Sequence, residues 1–148
     1  MSREQTIRYL QDMAGMREQD LRRSLLAQRQ MLNQLREKYA LLQGYLDHYR
    51  QESAAREGAG IAGGDILRWR GFLQQLNTVL QQQGQLIREQ EQRLQHLQRQ
   101  WQQAKAREQV FSHLLQRLDH DRQLAELKRA QKEMDDWALR AVQMRVGF

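Results

Sequence analysis

Histidine and acidic side chains are the residue types in this sequence that could bind a metal or transfer protons. The densest group is His113 and His120, with Asp119 and Asp121 beside His120. Two imidazoles seven residues apart lie two helical turns apart, farther than the i,i+4 spacing that lets both bind one zinc ion. The other two histidines stand alone. We therefore expect no metal site.

The sequence also contains no motif typical of a phosphate-binding loop or of a catalytic nucleophile. The glycine-rich segment from Gly58 to Gly64 lacks the Lys-Ser/Thr ending of a phosphate-binding loop, and no strand precedes it. The serines have no nucleophile-elbow context, and the chain has no cysteine. We expect no catalytic residue and no cofactor, so the sequence predicts a protein that is not an enzyme.

The composition favours long helices that pair along a narrow seam. The 148 residues include no proline, aromatic residues are 7%, and the mean hydropathy is −0.90. This is too little apolar volume for a layered globular core, yet the apolar pattern is too regular for a disordered chain. We predict an all-α fold in a single coiled-coil domain over residues 1–148.

The formal charge of +6, with a pI near 10.2, raises nucleic acid or anionic lipid as partners. The basic residues, however, are interleaved with acidic ones at helical i,i+4 spacing, as in Glu4/Arg8 and Glu89/Arg93. This pattern is typical of a solvated helix surface, so we expect no nucleic-acid partner. A nucleic-acid-binding coiled coil stays an alternative, which steeply salt-dependent binding would reveal.

The sequence predicts a cytoplasmic protein without direct membrane insertion. No apolar run approaches the roughly 20 residues that span a bilayer. The first five residues show no apolar segment of the kind found in a signal peptide. The absence of cysteine suits a reducing compartment.

The first helix is predicted over about residues 2–54. Ser2 and Gln5 fit a capping box, in which each side chain bonds to the other residue's backbone amide. The spacing of apolar residues by three and four predicts a coiled-coil seam, interrupted by Glu18 and Gln28. The apolar members of that seam are Ile7, Leu10, Ala14, Leu21, Leu25, Leu32, Leu35, Tyr39, Leu42, Leu46 and Tyr49.

A break over about residues 55–64, rich in glycine and alanine, predicts a chain reversal near Gly58-Ala59-Gly60. Asp65 is the expected N-cap of a second helix over about residues 65–143. Polar residues at Gln83, Gln90 and Glu108 fall on its seam. The other members are Ile66, Trp69, Leu73, Leu76, Leu80, Ile87, Leu94, Leu97, Trp101, Ala104, Phe111, Leu115 and Leu118.

The two predicted helices differ in length. At a rise of about 1.5 Å per residue they would measure roughly 80 and 115 Å. Antiparallel pairing would place Ser2 opposite about Gln116, so the rest of the second helix has nothing of its own to pack on. The heptad also slips in phase past Leu118. This free end needs a partner, because it carries Leu118, Leu124, Leu127, Met134, Trp137, Leu139 and Val142.

A second candidate surface lies near the break. Tyr45 and Phe72 fall beside the seam positions and would meet at one level if the helices pair. The pattern allows two interpretations, an aromatic-filled core close to the turn or a partly exposed docking patch.

Three sequence motifs resemble the FliJ family, the small stalk proteins of the bacterial flagellar export apparatus. Residues 45–50, Tyr-Leu-Asp-His-Tyr-Arg, resemble the family's ending of the first helix. Gly60-Ile61-Ala62, followed by the aromatic-rich segment from Trp69 to Phe72, resembles its turn and second-helix entry. Residues 131–138, Gln-Lys-Glu-Met-Asp-Asp-Trp-Ala, resemble the family's pattern near the C-terminal end. Total length matches as well.

The resemblance implies an antiparallel two-helix coiled coil, similar to the central stalk of rotary ATPases, whose second helix overhangs. It implies three partners, namely the pore of the hexameric flagellar export ATPase, the export gate protein FlhA, and empty export chaperones. It also implies a location at the cytoplasmic face of the cell membrane, where the stalk would help couple ATP hydrolysis and proton-motive force to export.

The family's contact residues can be transferred to matching positions of this chain. Lys38 and Gln83 flank the expected gate contact, although Lys38 stands where the family more often has a neutral polar residue. The gate contact is expected at Leu42, Tyr45, Tyr49, Phe72, Leu76 and Val79. The ATPase contact is expected at Gln131, Lys132, Met134, Asp135, Trp137 and Arg140.

Two further readings stay open at the level of sequence. The analogous stalk of a virulence or symbiosis type III secretion system would have the same mechanics with different partners. A free-standing coiled-coil scaffold would instead associate with itself through its free C-terminal end.

Overall fold

The computed structural model describes residues 2–58, 60 and 63–146. Helix α1 spans Arg3–Gly58 and helix α2 spans Gly63–Val146, and the described residues contain no strand. The predicted all-α fold of two long, mutually packed helices is therefore confirmed. The predictions that involve Ala59, Ile61 and Ala62 lie outside the described residues.

The capping box at the start of α1 is confirmed. The backbone amide of Gln5 donates to Ser2 Oγ at 3.1 Å, and the Ser2 amide donates to Gln5 Oε1 at 3.1 Å. These reciprocal bonds satisfy donors that the first helical turn leaves unpaired. The beginning of α1 is thus fixed by local chemistry.

The turn is shorter than the sequence pattern indicated. Helix α1 continues to Gly58, and one reason is that Ala55, which the prediction placed in the break, is a strong helix former. Gly60 has φ of 78°, the left-handed conformation that favours glycine after a helix C-terminus. The N-cap prediction for Asp65 is wrong, since α2 already begins at Gly63. Asp65 lies in the first turn instead, where its charge complements the helix dipole.

The chain divides into two compact units. The turn unit comprises Gln19–Gln102, and the terminal unit comprises the residues of α1 through Glu18 together with α2 from Gln103 onward. Each unit contains one segment of each helix. The prediction of a single domain over residues 1–148 stays a prediction.

In the turn unit the two segments run antiparallel. Gln28 lies against Gln90, where its Nε2 donates to Gln90 Oε1 at 2.7 Å and to the Gln90 carbonyl oxygen at 3.3 Å. Nearer the turn, the Tyr49 ring contacts Phe72. As the residue number rises on α1, it falls on α2, which defines the pairing direction.

The predicted seam is confirmed, since its apolar members are buried or half-buried in the structure. The buried apolar residues are Ile7, Ala14, Leu21, Leu25, Leu32, Leu46, Leu80, Ile87 and Ala104. Glu18 and Gln28 are buried as well, as the interrupted pattern indicated. The seam continues farther than predicted, because Ser53, seven residues after Leu46, is also buried.

The terminal unit has the same antiparallel pairing and then an unpaired extension. Gly15 lies 3.6 Å from the Glu108 carboxylate, measured from the position of an added Cβ, and Glu4 is hydrogen-bonded to Arg122. Contact between the two helices therefore extends past Gln116, the predicted end of the pairing. The Glu4 and Arg122 side chains are long enough to meet there. Residues 119–140 are all exposed. The predicted overhang of α2 is thus present.

Replacing the buried Gln28 tests the polar layer of the seam. We expect Gln28→Ala to lower the free energy of unfolding by about 1–3 kcal/mol, because the Gln90 amide loses its partner. The double variant Gln28→Leu/Gln90→Leu should recover most of that loss, since an apolar pair replaces both amides. Urea unfolding followed by circular dichroism measures both. Gln34→Ala, at an exposed position of α1, is the control. Equal losses for Gln28→Ala and Gln34→Ala would contradict the role assigned to the layer.

Replacing Arg122 tests the ion pair at the start of α1. Hydrogen bonds from Arg122 and then from Arg8 hold the pKa of the Glu4 carboxyl below its ordinary value of 4.5. Because the folded pKa is the lower one, the stabilisation is present above the ordinary pKa and is lost as the pH falls through the folded pKa. Arg122→Gln should raise the Glu4 pKa in a carbon-detected carboxyl titration. Arg117→Gln should leave it unchanged, and the same shift in both variants would exclude a direct pair.

Candidate protein-binding surfaces

The six residues predicted to contact the export gate come from both helices of the turn unit, and we call them the turn patch. Leu42, Tyr45 and Tyr49 follow one another at spacings of three and four on α1. On α2, the same alternation in reverse order gives Phe72, Leu76 and Val79. Such spacings place the members of each trio on one face of their helix.

The inner part of the turn patch is packed and its outer part is open. Tyr49 stands edge-on to Phe72, with ring centroids 5.4 Å apart and an interplanar angle of 79°. Tyr49 also meets Trp69 edge-on at 5.5 Å. Phe72 nevertheless keeps 44% of its surface exposed, and Tyr45 and Val79 are exposed to a similar extent. The turn patch therefore combines the two features that the sequence suggested, since its inner part is a packed aromatic core and its outer part is exposed.

The two residues that the family pattern predicts to flank the turn patch differ in exposure. Lys38 is exposed on α1, and Gln83 is half-buried on α2. The role of the patch in binding a gate protein stays a prediction.

Sequence reasoning missed a cavity of about 330 Å³ close to the turn. The Arg56 guanidinium lies 4.7 Å from the centre of the Trp69 ring, within cation–π distance. Trp69 Nε1 is buried without a hydrogen-bond partner among the described residues. The buried position of Ser53 was the available signal, since it continues the heptad from Leu46. The cavity is lined by Ser53, Arg56, Glu57, Asp65, Ile66, Arg68, Trp69 and Phe72.

The predicted ATPase-contact residues lie in the unpaired part of α2, residues 123–146, which we call the α2 tip. All six of these residues are exposed. Met134 and Trp137 keep 72% and 71% of their surface in contact with solvent. At roughly 100° of rotation per residue, the six positions are distributed around the whole circumference of the helix. The α2 tip thus presents contacts in every direction around its axis.

Within residues 2–58, 60 and 63–146, no group of three or more His, Cys, Asp or Glu side chains is placed to hold a metal ion. His113 and His120 are exposed on α2. His48 lies 3.4 Å from the Glu52 carboxylate, one turn farther along α1. Over the same described part of the chain, neither helix is long and apolar enough to span a membrane.

Comparison with known proteins identifies the family. The family model described as "Flagellar FliJ protein" matches residues 4–147. A curated relative, the "Flagellar FliJ protein" of Escherichia coli (strain K12), is 29% identical over 132 residues, which cover 89% of this chain and 90% of the relative. No solved structure matches. The match over nearly the whole sequence, together with the two mutually packed long helices and the exposed α2 tip, shows that this chain belongs to the FliJ family of flagellar proteins.

Proposed function

We propose that this chain is the stalk of the flagellar protein export apparatus and works by binding, without catalysis. Its α2 tip enters the pore of the hexameric export ATPase and promotes the assembly and activity of that ring. Its turn patch contacts the export gate protein FlhA, and empty export chaperones are further partners. It acts in the cytoplasm, at the cytoplasmic face of the cell membrane. The observation that carries the proposal is the exposed apolar surface of the α2 tip.

The α2 tip exposes many apolar side chains to water. Several large apolar side chains in it are exposed, and α1 supplies no counterpart there. Exposed apolar residues that cluster in this way mark interaction sites. They are Leu124, Leu127, Met134, Trp137, Leu139, Val142, Met144 and Val146.

The distribution of charge in the α2 tip favours an enclosing partner. Lys132, Asp135 and Arg140 lie at different angles around the same helical turns as Met134 and Trp137. A partner with a single groove would cover one face and leave the others unused. A pore surrounds the helix and can offer apolar and charged groups on all sides.

The turn patch supports a second contact because it is both preorganised and open. Tyr49 fixes the Phe72 ring from the other helix, so part of the ordering cost of binding is already met in the free protein. Aromatic side chains held in this way are typical anchors of protein interfaces.

A pull-down with the hexameric export ATPase tests the proposal as a whole. The full chain should retain the ATPase, and a chain truncated after Arg122 should not, because this truncation removes the α2 tip and leaves the paired part of both helices in place. Equal retention by both proteins would remove the α2 tip from the interface and overturn the proposal.

Substitution within the α2 tip should separate binding from folding. We expect Trp137→Ala and Met134→Asp each to weaken stimulation of the ATPase on the order of tenfold, the usual loss for a buried anchor of an interface. Helicity and the thermal midpoint should stay unchanged, because both side chains are exposed in the free chain. Val110→Ala, an exposed apolar position elsewhere on α2, is the matched control. A parallel loss of thermal stability would show these residues to be part of the protein's own core.

Substitution within the turn patch should affect the gate contact alone. Phe72→Ala is expected to weaken binding to FlhA by about tenfold and to leave ATPase stimulation intact. Leu67→Ala is the control, because Leu67 is exposed on α2 near the turn but lies outside the patch. Isothermal titration with the gate protein measures binding, and thermal unfolding reports stability. A large drop in the melting temperature for Phe72→Ala would show that its main role is packing.

A further inference from the structure

The terminal unit contains an apolar groove that neither the turn patch nor the α2 tip includes. Its volume is about 340 Å³, within the range of cavities that bind ligands. Both helices contribute to it, so it lies where α1 and α2 pack against each other within this unit. Its apolar lining consists of Leu10, Met13, Ala14, Ala104 and Phe111.

The α1 rim of this groove is rich in exposed, flexible side chains. Tyr9, Met13 and Met16 follow one another at spacings of four and three, which places them on one face of the helix. All three are more than half exposed, and Met16 keeps 66% of its surface in solvent. Methionine adapts its shape to different apolar partners and is over-used at surfaces that bind amphipathic helices. The groove and this stripe share Met13, so they form one continuous apolar surface.

Two arginines give this surface a positive charge. Arg17 on α1 and Arg107 on α2 line the groove, and no carboxylate is among its described lining residues. The Arg107 guanidinium lies 5.9 Å from the centre of the Phe111 ring. Within the described part of the chain, neither arginine forms an ion pair. Each therefore has charge available for a ligand.

We propose that this groove binds an amphipathic helix of another protein, whose apolar side chains enter the groove while flanking carboxylates pair with Arg17 and Arg107. Apolar anchors at i, i+3 and i+4 are the usual way in which a helix binds such a groove. Carboxylates on both sides would match the two guanidinium groups, which favour bidentate pairing.

The charge of the chain argues against a second copy as the occupant. Each copy carries a formal charge of +6, so two copies repel each other, whereas an acidic helix is attracted. The groove also lies outside the residues assigned to the ATPase and the gate. The proposal can therefore fail while the proposed function holds, and the reverse is equally true.

Methionine methyl groups provide a site-resolved test. The full chain, labelled with ¹³C at its methionine methyl groups, is titrated with a synthetic helical peptide of about 18 residues, five turns, built from leucine and glutamate. We expect saturable shifts at Met13 and Met16 and none at Met31 in the turn unit. A peptide with the same leucines and with lysine in place of glutamate should produce no such shifts. This comparison uses the unaltered chain, so it does not depend on how any variant folds.

Charge reversal gives the second arm of the test. Arg17→Glu/Arg107→Glu should weaken binding of the leucine–glutamate peptide on the order of tenfold or more. Arg23→Glu/Arg29→Glu makes the same change in net charge at exposed positions of α1 in the turn unit and should have little effect. Circular dichroism establishes that both variants keep their helices.

Four outcomes would overturn the proposal. Equal shifts with the acidic and basic peptides would mean that charge does not select the ligand. Shifts confined to Met134 or Met144 would move the binding site to the α2 tip. An equal loss of affinity in the two charge-reversed variants would reveal non-specific attraction. Self-association in sedimentation that Met13→Asp abolishes would identify a second copy as the occupant.

Discussion

Each helix of this protein carries one narrow apolar stripe, and neither stripe can be buried without the other. The buried apolar side chains are those at heptad spacing, and the rest of each helix faces water. Within each unit the two helices pair in register, and their remaining faces are exposed to solvent. The candidate surfaces all involve apolar side chains that this pairing leaves exposed.

Because α2 is longer than α1, part of the apolar surface of α2 has no counterpart on α1. Pairing in the terminal unit ends near the Glu4–Arg122 contact, while α2 continues to Val146. The side chains beyond that contact still include leucine, methionine and tryptophan, which α1 does not reach. Membership of the FliJ family connects the chain with flagellar protein export. Removal of apolar surface from water is favourable, and this effect drives the pairing of the two helices. The same effect would favour binding of a partner at the α2 tip and at the groove beside Met13.

Much of the fold could be predicted because it rests on local signals. Heptad spacing, the Ser2–Gln5 capping box and the buried amide of Gln28 are all visible in the sequence. The helix ends near the turn were harder to predict, since alanine suits both a helix and a break. The groove beside Met13 could not be predicted, because it depends on how Arg17 and Arg107 are placed across two helices. Such a juxtaposition needs the register of the pairing to within a residue or two.

The polar layer in the seam also makes the two possible one-heptad shifts of the pairing unequal in free energy. On α2 the stripe has Gln83 seven residues before Gln90 and Leu97 seven residues after it. A slip of one heptad that brought Gln83 opposite Gln28 would again place amide against amide. A slip the other way would set Gln28 against Leu97 and leave a buried donor and acceptor without partners. Sliding α1 along α2 by one heptad thus costs less free energy in the direction that pairs Gln28 with Gln83 than in the opposite direction. A force along the helix axis would therefore meet less resistance in that direction.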